Sequence, residues 1–348
     1  MTDTSPRFTV LCATYNQAAY LEEMVESVVG QSLTDFELVI VDDGSTDETP
    51  QVLESLLQRL PLELSNRITV QRTQNAGQTA ALEYGFGSAR GEYICLVDSD
   101  DRYAVHKLQA IATATERHPE AGMFMHPLRV IDASGRATGD LRPQKARLSH
   151  GDIREQMQRT ARHSATATTG LILRRDVMAR LLPAPTRGLN FAADAYLSFG
   201  AACTAPVVAL SEPLGDYRMQ PGSQYLKRML SAEGLSRQVE FQNVVAGHFG
   251  LQEVARRNSH FARNRFAHAM YGARPARRIH EFGWLIIATV RDPYFSLRQK
   301  LTLGAFWTFT LAAGPRRFPS IWEWFQRRQT GWNKLSVGRS DTGAPSSG

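Results

Sequence analysis

Three carboxylates follow a short apolar run in the stretch YICLVDSDDRY, residues 93–103. The run has the composition of a buried strand, and Asp98, Asp100 and Asp101 come directly after it. Carboxylates this close repel one another unless a cation or a hydrogen-bonding ligand offsets their charge. Their hard oxygen atoms suit Mg²⁺ or Mn²⁺, which bind well to a diphosphate. The stretch therefore indicates a metal site or, as the simpler alternative, the capped N-terminus of a helix.

The elements that position these carboxylates alternate between strands and helices. The apolar runs FTVLCATY, FELVIVDD, RITVQR and EYICLVD predict four strands, and helical patterns lie between them. Such a βαβ series predicts a mostly parallel α/β sheet with helices on both faces, of the Rossmann-like kind. Open sheets of this kind bind ligands beyond the carboxyl ends of their strands. Both acidic clusters, Asp42-Asp43 and Asp98 to Asp101, fall at such ends.

Two local patterns give further expectations for the first hundred residues. Apolar side chains at helical spacing predict a helix over Ala19–Val29. Ser45 and Glu48 fit a capping box for the second helix, where Pro50 is tolerable only in the first turn. Further along, FAADAYLSFGAA predicts a helix, and PVVAL followed by LGDYRM predicts a pair of strands.

Composition and charge divide the chain. Of its 348 residues 43% are hydrophobic and 21% charged, which is typical of a folded protein. Residues 1–224 hold 21 Lys+Arg against 27 Asp+Glu, whereas residues 225–335 hold 18 against 6 and all five tryptophans. We therefore predict a main domain over 1–222, a basic, Trp-rich helical extension over 223–335, and a disordered Ser- and Gly-rich tail over 336–348.

The cysteines and the first residues bear on the compartment. Cys12, Cys95 and Cys203 are widely spaced in apolar or small-residue surroundings, which favours reduced thiols over a disulfide framework or a metal site. The opening residues MTDTSPRFTV show no basic segment followed by an apolar one, so we expect no secretory signal. The expected location is cytoplasmic, with peripheral association at the inner face of the membrane as an extension of that expectation.

The motifs at the strand ends occur together. CATYN follows the first strand, VDDGS the second, QNAGQ precedes the third helix, and DSDD follows the fourth strand. In this combination the chain resembles the family 2 glycosyltransferases of the GT-A type, strongly over about residues 7–130 and more weakly to about 220. The resemblance implies an enzyme that transfers a sugar from a nucleotide diphosphate to an acceptor with inversion.

The resemblance also implies roles for single residues. Tyr15 matches the aromatic that packs on the donor base, Asp43 the carboxylate that bonds the base, and Asp98 a position near the ribose. Asp100 matches the ligand of a Mg²⁺ or Mn²⁺ that holds the diphosphate. Further donor-binding positions implied by the motifs are Ala13, Asn16, Asn75, Gly77 and Ser99. A core tyrosine and a helix cap are the structural alternatives for Tyr15 and Asp43.

An inverting transfer needs one base to take the proton from the acceptor hydroxyl. The family places a carboxylate for this in the second half of the domain, at the start of a helix, and NFAADAYLSF puts Asp194 there. Many relatives have an acidic pair at this point, whereas this chain has Ala193 beside Asp194. Many also carry a histidine where this chain has Gln220, and glutamine is a weaker ligand. His126 is interpreted as structural.

The basic extension allows three interpretations. Its longer apolar piece, LTLGAFWTFTLAAG, has fourteen residues, short of the roughly twenty needed to span a bilayer. Tryptophans and the pairs Arg316-Arg317 and Arg327-Arg328 suit the surface of an anionic membrane. A solvated helical subdomain is the second interpretation. Nucleic-acid binding, the third, is disfavoured by the apolar, Trp-rich character, so no nucleic acid is expected.

The expected function is hexosyl transfer from a nucleotide-sugar donor to a saccharide or a lipid-linked saccharide, during assembly of a surface polysaccharide. A sugar-phosphate nucleotidyltransferase should open its first loop with glycines, and ATYNQAAY has none. A processive synthase should carry Q-x-x-R-W, which FQRRQTGW does not supply. A catalytically silent scaffold that binds partners through the basic extension is the alternative outside enzymes.

Overall fold

A computed structural model describes residues 5–144, 147–189, 192–220, 230–293 and 295–330, with side chains to 326 in the last range. The chain divides into two compact units. The first contains the described residues of Met1–Ser223 and Arg237–Asn258, and the second those of Gln224–Ser236 and Ser259–Gly348. The predicted boundary at 222 and the predicted disordered tail lie outside the described residues, so the domain limits stay a prediction.

The described residues form eleven strands. They are β1 Phe8–Thr14, β2 Phe36–Asp42, β3 Ile68–Arg72, β4 Tyr93–Asp98, β5 Arg102–Tyr103, β6 Met123–Met125, β7 Leu128–Ile131, β8 Ala137–Arg142, β9 Leu171–Arg174, β10 Val207–Ala209 and β11 Gly215–Arg218. Seven of them form the central sheet in the order β10-β6-β9-β4-β1-β2-β3. Only β9 runs antiparallel to its neighbours there, so the predicted α/β, mostly parallel sheet is confirmed.

The remaining four strands form a second, smaller sheet in the order β5-β11-β7-β8. The predicted pairing of PVVAL with LGDYRM is wrong. Strand β10 pairs with β6 at the edge of the central sheet, whereas β11 pairs with β5 and β7 in the small one. Both segments are strands, but the chain between them crosses from one sheet to the other. Strand β11 thereby lies beside the short strand β5, which directly follows the acidic residues Asp98 to Asp101.

The helices are α1 Ala18–Val29, α2 Thr49–Arg59, α3 Leu62–Ser65, α4 Gln78–Phe86, α5 Lys107–Arg117, α6 Arg154–Thr160, α7 Arg175–Leu181, α8 Ala193–Thr204, α9 Ala232–His248, α10 Gln252–Arg257, α11 Ser259–Gly272, α12 Pro275–Arg291 and α13 Leu297–Thr330. Helix α1 buries the four residues that its periodicity places on one face, Leu21, Met24, Val25 and Val28. They pack on strand residues such as Val10 and Ile40 in the main hydrophobic core.

The predicted capping box before α2 is wrong. The helix starts at Thr49 with Glu48 as its N-cap, and no side chain caps it. Ser45 instead serves the neighbouring loop, because its hydroxyl accepts a hydrogen bond from the Asn16 N–H (2.9 Å). Its own N–H donates to Oδ1 of Asp42 (2.8 Å). These tertiary bonds outweigh the local capping pattern. Pro50 does lie in the first turn, as its ring requires.

The second unit has a core of its own, built mainly from α11, α12 and α13. Trp307 is 2% exposed and Trp322 0%, and both pack in this core with Phe266 and Phe318. The interpretation of these two tryptophans as membrane-interface residues is therefore wrong. They are core side chains that give a small helical unit enough apolar surface to bury. No helix within the described ranges is both long and apolar enough to cross a bilayer.

Candidate active site

A cleft opens at the carboxyl edge of the central sheet, above β1, β2 and β4. Its lining residues are Ala13, Thr14, Tyr15, Gln17, Asp43, Gln78, Asp98, Ser99 and Asp100. Six of the predicted donor- or metal-binding residues belong to this set. The strand register explains the gathering, because Ala13 of β1 lies opposite Asp98 of β4 and Thr14 opposite Asp42 of β2. Parallel strands that end at the same level bring their following residues to one place.

Asp43 organises the loop that precedes α4. Its Oδ1 accepts a hydrogen bond from the N–H of Ala76 (2.9 Å) and its Oδ2 one from the N–H of Gly77 (2.8 Å). Gly77 has a positive φ of 89° and is the N-cap of α4, a conformation that glycine adopts without steric cost. Asp43 is 3% exposed but still lines the cleft. Its carboxylate thus fixes the loop that closes one side of the cleft.

Asn16 ties the loop after β1 to the loop after β2. Its Oδ1 accepts hydrogen bonds from the N–H groups of Thr46 (2.8 Å) and Asp47 (3.3 Å), and its φ is positive at 54°. Asparagine tolerates this left-handed conformation better than most residues. The structure places Asn16, Asn75 and Gly77 beside the cleft lining and not within it. Their predicted contacts with the donor stay a prediction.

Asp98 is half-buried at the end of β4. Nε2 of Gln78 donates a hydrogen bond to its Oδ1 (2.8 Å), and its own N–H donates to the hydroxyl of Thr169 (3.0 Å). Burial, together with the nearby charges of Asp100 and Asp194, raises the pKa of the Asp98 carboxyl from 3.8 to about 7. In the metal-free protein this carboxyl therefore binds a proton far more tightly than an exposed one.

Replacing Asp98 with asparagine should raise the melting temperature of the metal-free protein, and by more at about pH 8 than at about pH 5. The folded-state pKa of about 7 exceeds the unfolded value of about 3.9. The stability that this group contributes is therefore complete below the unfolded pKa and is lost as the pH rises through about 7. Asparagine stays uncharged throughout. Thermal unfolding with a chelator at both pH values measures the difference, and an equal effect at both would contradict it.

Asp100 and Asp101 have different partners although they are neighbours. Nε2 of Gln220 donates to Oδ2 of Asp100 (2.7 Å), and Asp100 lines the cleft. Asp101 is 1% exposed and accepts hydrogen bonds from the Thr169 hydroxyl (2.5 Å) and the Arg218 N–H (2.8 Å). Burial raises the pKa of both carboxyls. Asp101 thus connects β11 of the small sheet to the acidic residues after β4, whereas Asp100 faces the cleft.

Arg218 anchors this stretch from β11. Its Nε donates to the backbone carbonyl of Asp100 (2.7 Å), and its guanidinium also pairs with Glu23 of α1. The Arg218 side chain is 2% exposed, so its hydrogen bonds lie in a poorly solvated environment where each is strong. The position of the Asp100 backbone is therefore set jointly by β4, α1 and the small sheet.

Asp194 is the second residue of α8, as predicted for a helix start. The N–H of Ala195 donates to its Oδ1 (2.8 Å). The backbone of Thr168 affects the pKa of Asp194 and its side chain that of Asp98, so the two carboxyls share one neighbour. Burial raises the pKa of Asp194, against the opposing effect of these hydrogen bonds and of Arg142. The structure thus brings Asp194 near the acidic stretch, although it is not among the residues that line the cleft.

The cleft has the donor chemistry that Mg²⁺ or Mn²⁺ requires. Asp98 and Asp100 present carboxylate oxygens from one strand end, and burial raises the pKa of both. Gln220 adds an amide beside Asp100. No group of three or more His, Cys, Asp or Glu side chains that could hold a metal occurs within the described ranges. The residues fit a cation that is shared with a diphosphate and keeps other oxygen ligands.

Sequence reasoning missed four contributors to this site. Gln78 bonds Asp98, and its place directly after the N-x-G motif at the start of α4 was a usable signal. Arg218 stands two residues before Gln220 in the same YRMQ stretch, in which the motif comparison concerned only the glutamine. Thr168 and Thr169 lie in a short 3₁₀ turn before β9, and nothing in their sequence surroundings marks them. His126 is 0% exposed, and its Nδ1 lies 3.3 Å from the Leu214 N–H, which agrees with the structural interpretation.

A mostly parallel sheet with an acidic cleft at its carboxyl edge defines this protein as a GT-A-type α/β domain with a helical region after it. The chain belongs to the family described as glycosyl transferase family 2, whose sequence model matches residues 9–182. The resemblance stated from the motifs is thereby confirmed, and with it glycosyltransferase activity as the general function.

Among its relatives is an uncharacterized glycosyltransferase of Nostoc sp., 30% identical over 220 residues, which are 63% of this chain and 67% of that protein. The minor teichoic acid biosynthesis protein GgaA of Bacillus subtilis is 35% identical over 109 residues, 30% of this chain and 24% of its own length. The chain thus spans about two thirds of the first relative and about a quarter of the second.

Two solved structures share the fold. One is Staphylococcus aureus TarS 1-349 in complex with UDP-GlcNAc, with a TM-score of 0.61 and 20% identity over 93% of this chain and 92% of that one. The other is the mannosyltransferase PcManGT of Pyrobaculum calidifontis in complex with GDP-Man and Mn²⁺, with a TM-score of 0.51 and 17% identity over 95% and 88%. At these identities the likeness concerns the fold.

Proposed function

We propose that the protein is an inverting, metal-dependent hexosyltransferase that uses a nucleotide diphosphate-sugar as donor. The observation that carries the proposal is the grouping of carboxyls around one cleft. Asp98 and Asp100 come from the end of β4, Asp194 comes from the start of α8, and the Asp194 charge contributes to the raised pKa of Asp98. Inverting transfer needs carboxylates in two roles, one set on the donor side and one on the acceptor side.

On the donor side, Tyr15 lines the cleft and is 44% exposed, so its ring is accessible for stacking on a base. Oδ1 of Asp43 accepts hydrogen bonds from the Ala76 N–H and, at 3.4 Å, the Thr73 hydroxyl, whereas Oδ2 accepts one from the Gly77 N–H and keeps a further lone pair for the base. Asp98 is proposed to lie near the ribose and Asp100 to hold Mg²⁺ or Mn²⁺. Ala13, Asn16, Asn75, Gly77 and Ser99 are proposed as the other donor-binding residues.

The chemical step forms one bond and breaks another. The acceptor hydroxyl oxygen attacks the anomeric carbon of the sugar, and the bond from that carbon to the diphosphate oxygen breaks. The electron pair leaves with the diphosphate, and the hydroxyl proton passes to the carboxylate of Asp194, whose raised pKa makes it a stronger base than an exposed carboxylate. When bound, the divalent cation stabilises the charge that develops on the departing diphosphate.

The acceptor is proposed to be a saccharide or lipid-linked saccharide of a surface polysaccharide. Support comes from the printed descriptions of two relatives, the teichoic acid protein GgaA and the poly(ribitol-phosphate) β-N-acetylglucosaminyltransferase TarS. Residues 1–222 are proposed as the catalytic domain and 223–335 as an extension for acceptor or membrane contact. With lipid-linked acceptors the proposed location is the cytoplasm, peripherally at the inner face of the membrane.

A screen of nucleotide-sugar hydrolysis tests this function. Purified protein is incubated with uridine, thymidine and guanosine diphosphate-sugars, with Mn²⁺, with Mg²⁺ or with a chelator, and the released nucleotide is measured. We expect release of a nucleoside diphosphate from donors of one base class, lost with the chelator and restored by either cation. Release of a sugar 1-phosphate would instead identify a nucleotidyltransferase. The absence of both hydrolysis and nucleotide-induced thermal stabilisation would favour the silent scaffold.

A further inference from the structure

The first half of α13 is apolar on two opposite faces. Its inner face packs Trp307, 2% exposed, into the core of the second unit. Its outer face carries Leu297 (73% exposed), Leu301 (66%) and Phe309 (61%), which follow one another at intervals of four and eight residues. A spacing of four or eight places side chains on the same face of a helix. A helix with apolar side chains on opposite faces is normally buried by protein or lipid on both of them.

Helix α12 repeats the arrangement. Its inner residues Leu285 and Ala288 are each 1% exposed. Its outer residues Ile279 (62% exposed), Ile287 (41%) and Val290 (57%) are separated by eight and three residues, again one face of a helix. Helix α13 follows α12 directly along the chain, with Val290 near the end of one and Leu297 at the start of the other. We call these six exposed side chains the outer apolar face of the second unit.

The charges of the same two helices have one sign at the surface. Five arginines of these helices are exposed: Arg277, Arg291, Arg298, Arg316 and Arg317. The acidic residues of described positions 275–326 are Glu281, Asp292 and Glu323, and none of them is exposed. Glu281 pairs with Arg265 (3.2 Å), and Asp292 accepts a hydrogen bond from Ser259. The surface is therefore apolar and cationic, without exposed acidic side chains among the described ones.

We propose that the outer apolar face docks on a bilayer that contains anionic phospholipids. Isolated exposed leucines are common, but six large exposed apolar side chains, three on one face of each of two successive helices that also expose arginines, are the pattern of an interfacial surface. The leucines and isoleucines enter the acyl boundary while the arginines contact phosphate groups. The tryptophans of the core play no part in this docking, so the apolar residues differ from those that the sequence indicated, whereas Arg316 and Arg317 are common to both.

A second copy of the chain fits this face less well. Arginines lie at both ends of the α13 stripe, with Arg298 at the start and Arg316 and Arg317 after its end, beyond the non-helical Gly314 (φ 74°). A symmetric pairing of two such stripes, parallel or antiparallel, brings arginines against arginines, since no exposed acidic side chain occurs at either end among the described residues. Like charges in direct opposition are destabilising. An anionic lipid surface supplies the opposite charge along the whole face.

Vesicle sedimentation with the full chain tests the docking. The vesicles contain phosphatidylcholine alone or with about 30% phosphatidylglycerol. We expect binding to the mixed vesicles that weakens with added salt and little binding to phosphatidylcholine alone. The double variant Leu301→Gln, Phe309→Gln should bind at least about tenfold more weakly, because it lacks two apolar side chains that the bilayer would bury. Leu62→Gln is the matched control, since Leu62 is 74% exposed on α3 of the first unit, and it should bind like the wild type.

Three results would overturn the docking proposal. One is the failure of the wild type to bind anionic vesicles at low salt. Another is equal binding by the double variant and the wild type. The third is light scattering that shows an oligomer which the double variant dissociates, because the face would then be an interface between copies. Melting temperatures of both variants confirm folding. Nucleotide-sugar hydrolysis without acceptor is measured in parallel, so failure of docking and failure of the proposed function are distinguished.

Discussion

Replacing Asp100 with alanine should abolish the part of nucleotide-induced stabilisation that depends on Mn²⁺. In the wild type, a nucleoside diphosphate with Mn²⁺ at about a hundred times its dissociation constant should stabilise the fold by about 2.7 kcal/mol. Asp100 lines the cleft and has its carboxylate oriented by Gln220, so its removal takes away the proposed cation ligand. Thermal shift with and without Mn²⁺ measures the effect. An unchanged metal-dependent shift would refute the assignment of Asp100.

The neighbouring carboxylate provides the control for this experiment. Asp101 is 1% exposed and bonds Thr169 and the Arg218 N–H, away from the cleft lining. Asp101→Asn should therefore lower the melting temperature of the ligand-free protein, because these buried hydrogen bonds weaken. It should retain the Mn²⁺-dependent shift. Asp100→Ala should show the reverse, since the loss of one crowded negative charge does not destabilise the ligand-free fold. The opposite pattern would place the cation at Asp101.

The sheet and the acidic edge of the site could be predicted from the sequence because their signals are local. Strands β1, β2 and β4 are mostly apolar runs, and each acidic group begins at the last residue of its strand. Parallel pairing then brings Ala13 level with Asp98 without further information. The six cleft residues that were predicted all lie within three residues of a strand end or in the strand itself. Local order along the chain is sufficient for this part of the site.

The rest of the site depends on contacts between distant parts of the chain. Arg218 reaches Glu23 and Asp100 only because β11 joins the small sheet beside β5. The expected pairing of β10 with β11 was wrong because the sequence of a short strand only weakly specifies which strand it pairs with. The capping box at Ser45 failed for the same reason, because Asn16 and Asp42 engage that residue from another loop. Pairwise tertiary bonds of this kind have no signature in a single sequence.

Burial of the tryptophans shows the limit of composition as a guide. Trp, Arg and apolar residues occur together both in membrane-interface helices and in small helical units that need large side chains to fill a core. Only the structure distinguishes these two kinds of helix, because it shows that Trp307 and Trp322 are buried in the core whereas Leu301 and Phe309 are exposed. The exposed fraction of each side chain, and not its type, identifies the surface available to a partner.

Replacing Asp194 with asparagine should lower turnover by about 10²–10⁴, the usual contribution of a general base. Asparagine is nearly isosteric and can still accept the hydrogen bond from the Ala195 N–H, but it cannot take up a proton. The fold should therefore persist. Affinity for the donor and cation should also persist, since Asp194 is not among the residues that line the donor cleft. Steady-state transfer and nucleotide-induced thermal shift, measured on the same preparation, separate the two quantities.

Asp176 offers a matched control for this substitution. Like Asp194 it is the second residue of a helix, α7, so Asp→Asn removes the same favourable charge from the first turn of a helix in both cases. The two carboxyls differ in their surroundings. Hydrogen bonds from Arg174 and Arg180 lower the pKa of Asp176 to about 2, whereas burial raises that of Asp194. Asp176→Asn should cost some stability and leave turnover unchanged.

The pH dependence of transfer provides a second readout of Asp194. A base is active in its ionised form, so the wild-type rate should rise with pH through the raised pKa of the Asp194 carboxyl. The residual rate of Asp194→Asn should lose this rise, because no group at that position ionises. A variant that binds donor normally and transfers sugar at nearly the wild-type rate, with the same pH profile, would show that Asp194 only starts α8. The base would then have to be sought among the other carboxyls around the cleft.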